Sequence, residues 1–116
     1  MIDVPDSDLP ASAAFWAEAL GRSPSRAAED PSPYLSLLPS ERGVRVTLQR
    51  IDGPARFHLD IETDNVEAEV RRLQSAGAVA VDRVEDWVVL RDHAGLLFCV
   101  IPVDSTDFDA AASTWE

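Results

Sequence analysis

The stretch Thr63-Asp64-Asn65-Val66-Glu67-Ala68-Glu69-Val70-Arg71-Arg72-Leu73-Gln74-Ser75-Ala76-Gly77 decides the fold, because its grammar occurs twice in the chain. Thr63 or Asp64 can cap a helix, and Val66, Val70 and Leu73 recur at helical spacing on one face. Glu67 and Glu69 come early, Arg71 and Arg72 late, which suits the helix dipole, and Gly77 is the stop. Upstream, Ser7 or Asp8 can cap a segment with Pro10 in its first turn, and Phe15, Trp16, Ala19 and Leu20 form an apolar stripe before Gly21. Asp8 stands as far before Gly21 as Asp64 stands before Gly77, so the chain reads as an internal duplication.

Working outward, an extended run precedes each helix, Ile2 to Val4 and Phe57 to Ile61. Strand-like segments follow the first helix near Ser23 to Ala28, Tyr34 to Leu38 and Val44 to Ile51. They follow the second near Ala78 to Arg83, Trp87 to Arg91 and Leu96 to Ile101. Glu29 to Pro33 is a loop, Asp52-Gly53-Pro54 a linker, and Asp92-His93-Ala94-Gly95 a tight hairpin turn. Each half is therefore strand, helix, three strands. One domain over 1–103 is expected, with modules 1–53 and 54–103 and an acidic tail over 104–116 whose docking the sequence leaves open.

Strand alternation assigns faces. Phe57, Leu59 and Ile61 should pack on the helices and His58, Asp60 and Glu62 face away, while Val44, Val46 and Leu48 alternate with Arg45, Thr47 and Gln49. A sheet with helices on one side and a polar concave side is a cup. The expected core comprises Phe15, Trp16, Leu20, Leu59, Ile61, Val66, Val70, Leu73, Phe98 and Val100.

Composition narrows the function classes. The chain has 116 residues, a net charge of −11 and ten basic residues that are all arginine. Clustered positive charge for phosphate binding is absent, so a nucleic-acid surface is not expected. Such acidity serves solubility, and it also favours entry of a cationic small molecule into a cleft. The longest apolar run, Leu96 to Ile101, is far short of the roughly 20 residues that cross a bilayer. With Asp3, Asp6 and Asp8 at the N-terminus and a single cysteine, Cys99, the expectation is a cytoplasmic protein without disulfides or a multi-cysteine zinc site. No nucleophile with base and orienter, and no glycine-rich phosphate loop, is found.

Ala14-Phe15-Trp16-Ala17-Glu18-Ala19-Leu20-Gly21 resembles the first-helix signature of the vicinal oxygen chelate superfamily, especially its glyoxalase and bleomycin-resistance-like branch. Phe57-His58-Leu59-Asp60-Ile61, Val66-Glu67-Ala68-Glu69-Val70 leading to Ala76-Gly77, Trp87-Val88-Val89-Leu90 and Asp92-His93-Ala94-Gly95-Leu96-Leu97-Phe98-Cys99 match it in the same order. The resemblance implies an α+β fold: two βαβββ modules forming a curved, cup-like eight-stranded mixed sheet with helices on the convex side. It also implies a homodimer, for which a short first strand with an exposed edge is a second argument.

Many members of the superfamily hold a divalent metal through a His or Gln on the first strand of each module and a Glu on the last, leaving positions open for two neighbouring substrate oxygens. His58 falls on the second module's first-strand position. The second module's glutamate is replaced by Cys99, four residues past Gly95, and the first module offers Gln49, or Thr47 under another gap placement. The first-module partner of His58 falls at Ile2, or before Met1. The metal site is degenerate, so no cofactor is expected, although Cys99 with His58 is a donor pair that zinc accepts. The implied function is binding of a small organic molecule without a metal, lined by Gln49, His58, Asp60, Leu97 and Cys99. The alternatives are a metal-dependent lyase, isomerase or dioxygenase with an atypical site, and a structural or regulatory module. Glu62 reads as solvated, His93 as a surface residue of a turn, and Trp87 faces either side of its strand.

Overall fold

The computed structural model describes residues 1–41, 44–106 and 108–115. The chain forms two compact units, Met1–Phe57 and His58–Glu116. The first runs β1 (Ile2–Pro5), a 3-10 turn (Asp6–Asp8), α1 (Leu9–Leu20), β2 (Ser23–Pro24), β3 (Tyr34–Glu41), β4 (Val44–Ile51) and β5 (Arg56–Phe57). Its strand order is β2-β3-β4-β1-β5, with β1 parallel to β4. The second runs β6 (Leu59–Thr63), α2 (Val66–Ser75), β7 (Val79–Val84), β8 (Trp87–Arg91), β9 (Leu97–Pro102) and a short helix α3 (Phe108–Ala111). Its order β7-β8-β9-β6, with β6 parallel to β9, repeats β2-β3-β4-β1. The fold is α+β, a βαβββ module in each unit, as the duplicated helix grammar implied.

Helix α1 has Pro10 in its first turn, where the missing N–H has no intrahelical partner to lose, and ends at Gly21 in the left-handed region at φ +63°. Its buried face is Leu9 and Ala13, with Trp16 and Ala17 beside them, packed on Ile2, Val4, Leu35, Leu37 and Leu48. This corrects the expected stripe: Phe15 is 61% and Leu20 44% exposed. An alanine-rich helix carries more than one apolar stripe, and the one beginning at Leu9 wins because it also includes the small Ala13 and Ala17, which let the helix approach the sheet. Strand β2 is shorter than expected. Past Pro24 the chain is organised by guanidinium groups: Arg26 Nε donates to Tyr34 O at 2.7 Å and its Nη2 to Ser32 O at 2.7 Å, while Arg50 Nη2 donates to Asp30 O at 3.2 Å. Those loop carbonyls need no ladder partner.

Helix α2 is capped by Asn65, whose side chain accepts from Ala68 N at 3.0 Å, rather than by Thr63 or Asp64. Thr63 instead accepts from Asn65 N at 3.1 Å, setting the entry turn. Gly77, at φ +111°, follows the helix under the His93 ring, where a Cβ would collide with the imidazole. In the β8–β9 turn, Asp92 Oδ1 accepts from Ala94 N at 2.9 Å and Leu96 N at 2.8 Å.

The core of the second unit is Val70, Val88, Leu90 and Val100, with Val66, Leu73, Ala78 and Phe98 partly buried against it. Leu59 was expected there and is 71% exposed. Its register opposite Phe98 puts it on the helix side as parity required, but α2 packs over β9, β8 and β7, and β6 is the uncovered edge. The run Phe57 to Ile61 is not one strand: it breaks at His58, and Phe57 pairs with Ile2 at the far side of β1. Strand β1 is therefore internal, not the exposed edge that the sequence suggested. Phe57, also 71% exposed, meets the Trp16 ring edge-on at 6.1 Å.

The tail docks on the second unit. Ser105 Oγ donates to Glu62 Oε1 at 2.6 Å and Ser105 N to Glu62 Oε2 at 3.1 Å, so Glu62 anchors the chain after β9. The Arg72 guanidinium lies 4.2 Å over the Trp115 ring. Asp107 and Glu116 of the tail lie outside the described residues. Among the described residues no helix is long and apolar enough to cross a membrane.

Candidate functional site

Each sheet has one face on its helix and a second, its open face with respect to that helix, turned the other way. On the second unit, Val88, Leu90, Phe98 and Val100 point to α2, so their neighbours Trp87, Val89, Arg91, Leu97 and Cys99 take the open face. Asp60 lies directly across from Cys99 on β6, and His58 precedes it by one alternation. Three of the expected site residues, Asp60, Leu97 and Cys99, thus share one face of one sheet, and His58, in the break just before β6, brings its imidazole to Asp60 and Cys99. The same register settles Trp87 on that face.

His58, Asp60 and Cys99 each bring one donor atom into a group in which all lie within 4.8 Å of one another. The His58 imidazole is 11% exposed, and its Nε2 is 3.0 Å from Asp60 Oδ1. This approach lies off hydrogen-bond alignment, so the buried Oδ1 has distance without a bond. The arrangement is a half-buried acid, base and thiol beside the apolar Leu97, Val89 and Trp87. It can orient a polar group on a small molecule while the apolar side chains cover the rest.

On the first unit the open face is polar across four strands. Tyr34 lies opposite Gln49, Gln49 opposite Asp3, and Asp3 opposite Arg56. Gln49 Nε2 donates to the Tyr34 hydroxyl at 3.5 Å, and Ser36 and Thr47 share a hydroxyl contact at 3.2 Å in the next row. Asp3 is fully buried, and Arg56 Nε donates to its Oδ2 at 2.9 Å. Gln49, the fifth expected site residue, belongs to this face. Sequence reasoning missed Asp3, Tyr34 and Arg56. The alternation of Asp3 between Ile2 and Val4 was the signal for the first; no local signal marked Arg56, whose strand is two residues long.

The model of the glyoxalase-like domain family matches residues 1–101. The chain belongs to the glyoxalase-like domain family. No protein with a curated description gives a match. Among solved structures, the chain is similar to one described as an NAD-dependent benzaldehyde dehydrogenase from Legionella pneumophila, at a TM-score of 0.60 and 11% identity, over 89% of this chain and 97% of that one. It is also similar to a glyoxalase/bleomycin resistance protein/dioxygenase family enzyme from Burkholderia phytofirmans PsJN, at 0.40 and 16%, over 87% and 93%. A third is TnmS3, an antibiotic binding protein from Streptomyces sp. CB03234, at 0.34 and 20%, over 88% and 92%. At 11% identity the likeness to the first of these is one of fold alone.

Within this glyoxalase-like domain the superfamily's metal positions can be tested residue by residue. Ile2 is buried in the core on the α1 side and offers no donor. If Gln49 is the counterpart of Cys99, the pairings Asp3 with Gln49 and Asp60 with Cys99 make Met1 the counterpart of His58, again not the usual ligand type. The two glutamates are an amide and a thiol. The four-ligand set does not fit. What remains is the trio on the second unit, one nitrogen, one oxygen and one sulfur, with His58 Nε2 turned to Asp60.

Proposed function

We propose that this glyoxalase-like domain binds a small organic molecule without a metal, through the open faces of its sheets: His58, Asp60, Leu97 and Cys99 on the second unit, Gln49 on the first. The observation that carries the reading is the half-buried His58 and Asp60 pair, held 3.0 Å apart beside apolar neighbours. Such a surface gives direction through a few polar groups and affinity through apolar contact. The proposal includes a cytoplasmic protein acting as a homodimer, the latter tested by sedimentation, where a species of only 12.7 kDa at micromolar concentration contradicts it.

A second reading, zinc held by His58, Asp60 and Cys99 in an atypical enzyme, draws on the mutual proximity of three donors that zinc accepts. One experiment separates the two. Protein purified from its native source is denatured, the released small molecules are identified by mass spectrometry, and metals are quantified on the same sample. The metal-free reading expects a compound retained by the wild type and lost from His58→Ala, with no stoichiometric metal. Stoichiometric zinc, manganese, iron or nickel that disappears in His58→Ala overturns it and favours the enzyme.

A further inference from the structure

The Asp3 and Arg56 pair has no role in the site as sequence reasoning drew it, and it is costly. Asp3 is the one fully buried charged side chain among the described residues, set on β1 between Ile2 and Val4. A buried carboxylate must be desolvated, and attraction to its partners, the Arg56 guanidinium among them, only offsets that cost. Apolar side chains in the same places would stabilise the sheet as well or better. Arg56 fills no core either, since its side chain is 56% exposed. What the pair does provide is a guanidinium fixed in direction. The bond to Asp3 is made through Nε, which leaves the fork of the terminal nitrogens for another partner.

Register places that fork at the end of a row of polar side chains. Arg56, Asp3, Gln49 and Tyr34 stand side by side on successive strands, separated by about 4.8 Å per strand. The Gln49 amide and the Tyr34 hydroxyl touch at 3.5 Å, a long contact that a ligand oxygen can replace. A guanidinium fork matches the two oxygens of a carboxylate, and the amide and hydroxyl suit a further acceptor on the same molecule.

From this geometry we infer that the open face of the first unit binds the carboxylate of a small organic acid, with Arg56 as its anchor and Asp3 as the residue that positions Arg56. The inference rests on the reading of these faces as ligand-binding and gives the ligand a class. It reverses the expectation that net charge alone suggests, because a fixed local fork outweighs a diffuse negative field that salt screens.

The test titrates isotope-labelled protein with sodium benzoate, and in parallel with benzyl alcohol at matched ionic strength, following the Arg56 Nε–H and Gln49 side-chain amide resonances. Benzoate is expected to give saturable shifts at both residues and benzyl alcohol none. Arg56→Lys, which keeps the charge and loses the fork, should weaken benzoate at least tenfold, as should Arg56→Met. Asp3→Asn separates positioning from bulk charge. Removing a negative charge strengthens benzoate binding if attraction is only electrostatic, and weakens it if Asp3 holds the fork. Equal shifts with benzyl alcohol, an unaffected Arg56→Lys, or tighter binding by a folded Asp3→Asn overturns the inference. If Asp3→Asn does not fold, the two Arg56 variants decide. Failure here with His58-dependent binding intact removes the ligand class and leaves the broader function standing.

Discussion

Replacing Leu90 by alanine, compared with the same change at Leu59, tests the packing of the second unit directly. Leu90 is fully buried between β7 and β9, and Leu59 is 71% exposed. Truncating a fully buried leucine costs about 2 to 5 kcal/mol, the transfer term plus the cavity left behind. Full burial of a leucine is worth about 1.5 to 3 kcal/mol, and Leu59 has less than a third of that burial, so its truncation should cost under about 1 kcal/mol with no cavity term. Against a total stability of about 5 to 15 kcal/mol, Leu90→Ala removes a large share and Leu59→Ala hardly any. Urea denaturation followed by circular dichroism and tryptophan fluorescence gives both values, provided the slopes stay constant. Equal losses for the two variants, or a loss below about 1 kcal/mol for Leu90→Ala, would refute the placement of α2 over β7 to β9 with β6 uncovered.

Gly77→Ala should destabilise by about 1 to 2 kcal/mol, the usual cost of a left-handed residue with a Cβ, plus the clash with His93. A Gly77→Ala, His93→Ala double variant should recover the clash and not the backbone cost, as thermal melts of the three proteins will show. The hydrogen bond from Arg72, set against a smaller opposing effect of burial, holds the Glu69 carboxyl below its ordinary value of 4.5. That pair therefore contributes stability that is present above pH 4.5 and is lost as pH falls through the lowered folded value. Glu69→Gln should flatten the acid limb of a stability against pH curve, and an unchanged acid limb would show the pair contributes nothing. Asn65→Ala should cost about 1 kcal/mol as a lost helix cap, whereas Asp64→Ala should cost little, measured by the same melts.

The duplication was legible because both helices carry their own start and stop residues, and such local signals survive whatever the tertiary context. Trp87 to Arg91 and Val44 to Ile51 were legible as strands for a similar reason, being β-rich and bounded by turn formers. Which stripe of α1 turns inward was not, since an alanine-rich helix permits several and the sheet makes the choice. Leu59 shows the other limit: alternation gives its face correctly, yet exposure depends on whether a helix covers an edge strand, which no short pattern contains. His58, Asp60, Leu97 and Cys99 were placed on one face by parity together with the family resemblance. Arg56 was invisible, because its meaning arises only when β5 pairs with β1 and puts it over a buried Asp3.

The central claim, ligand binding without a metal at a site that includes His58, is tested most directly by a thermal-shift screen of small organic molecules in the presence of a strong chelator. A ligand at a hundred times its dissociation constant stabilises the folded state by about 2.7 kcal/mol, enough to move the melting temperature by several degrees. The account predicts at least one compound that shifts the wild type with chelator present and loses most of that shift in His58→Ala. Compounds that stabilise only when a divalent metal is supplied, or that shift His58→Ala as much as the wild type, would contradict it.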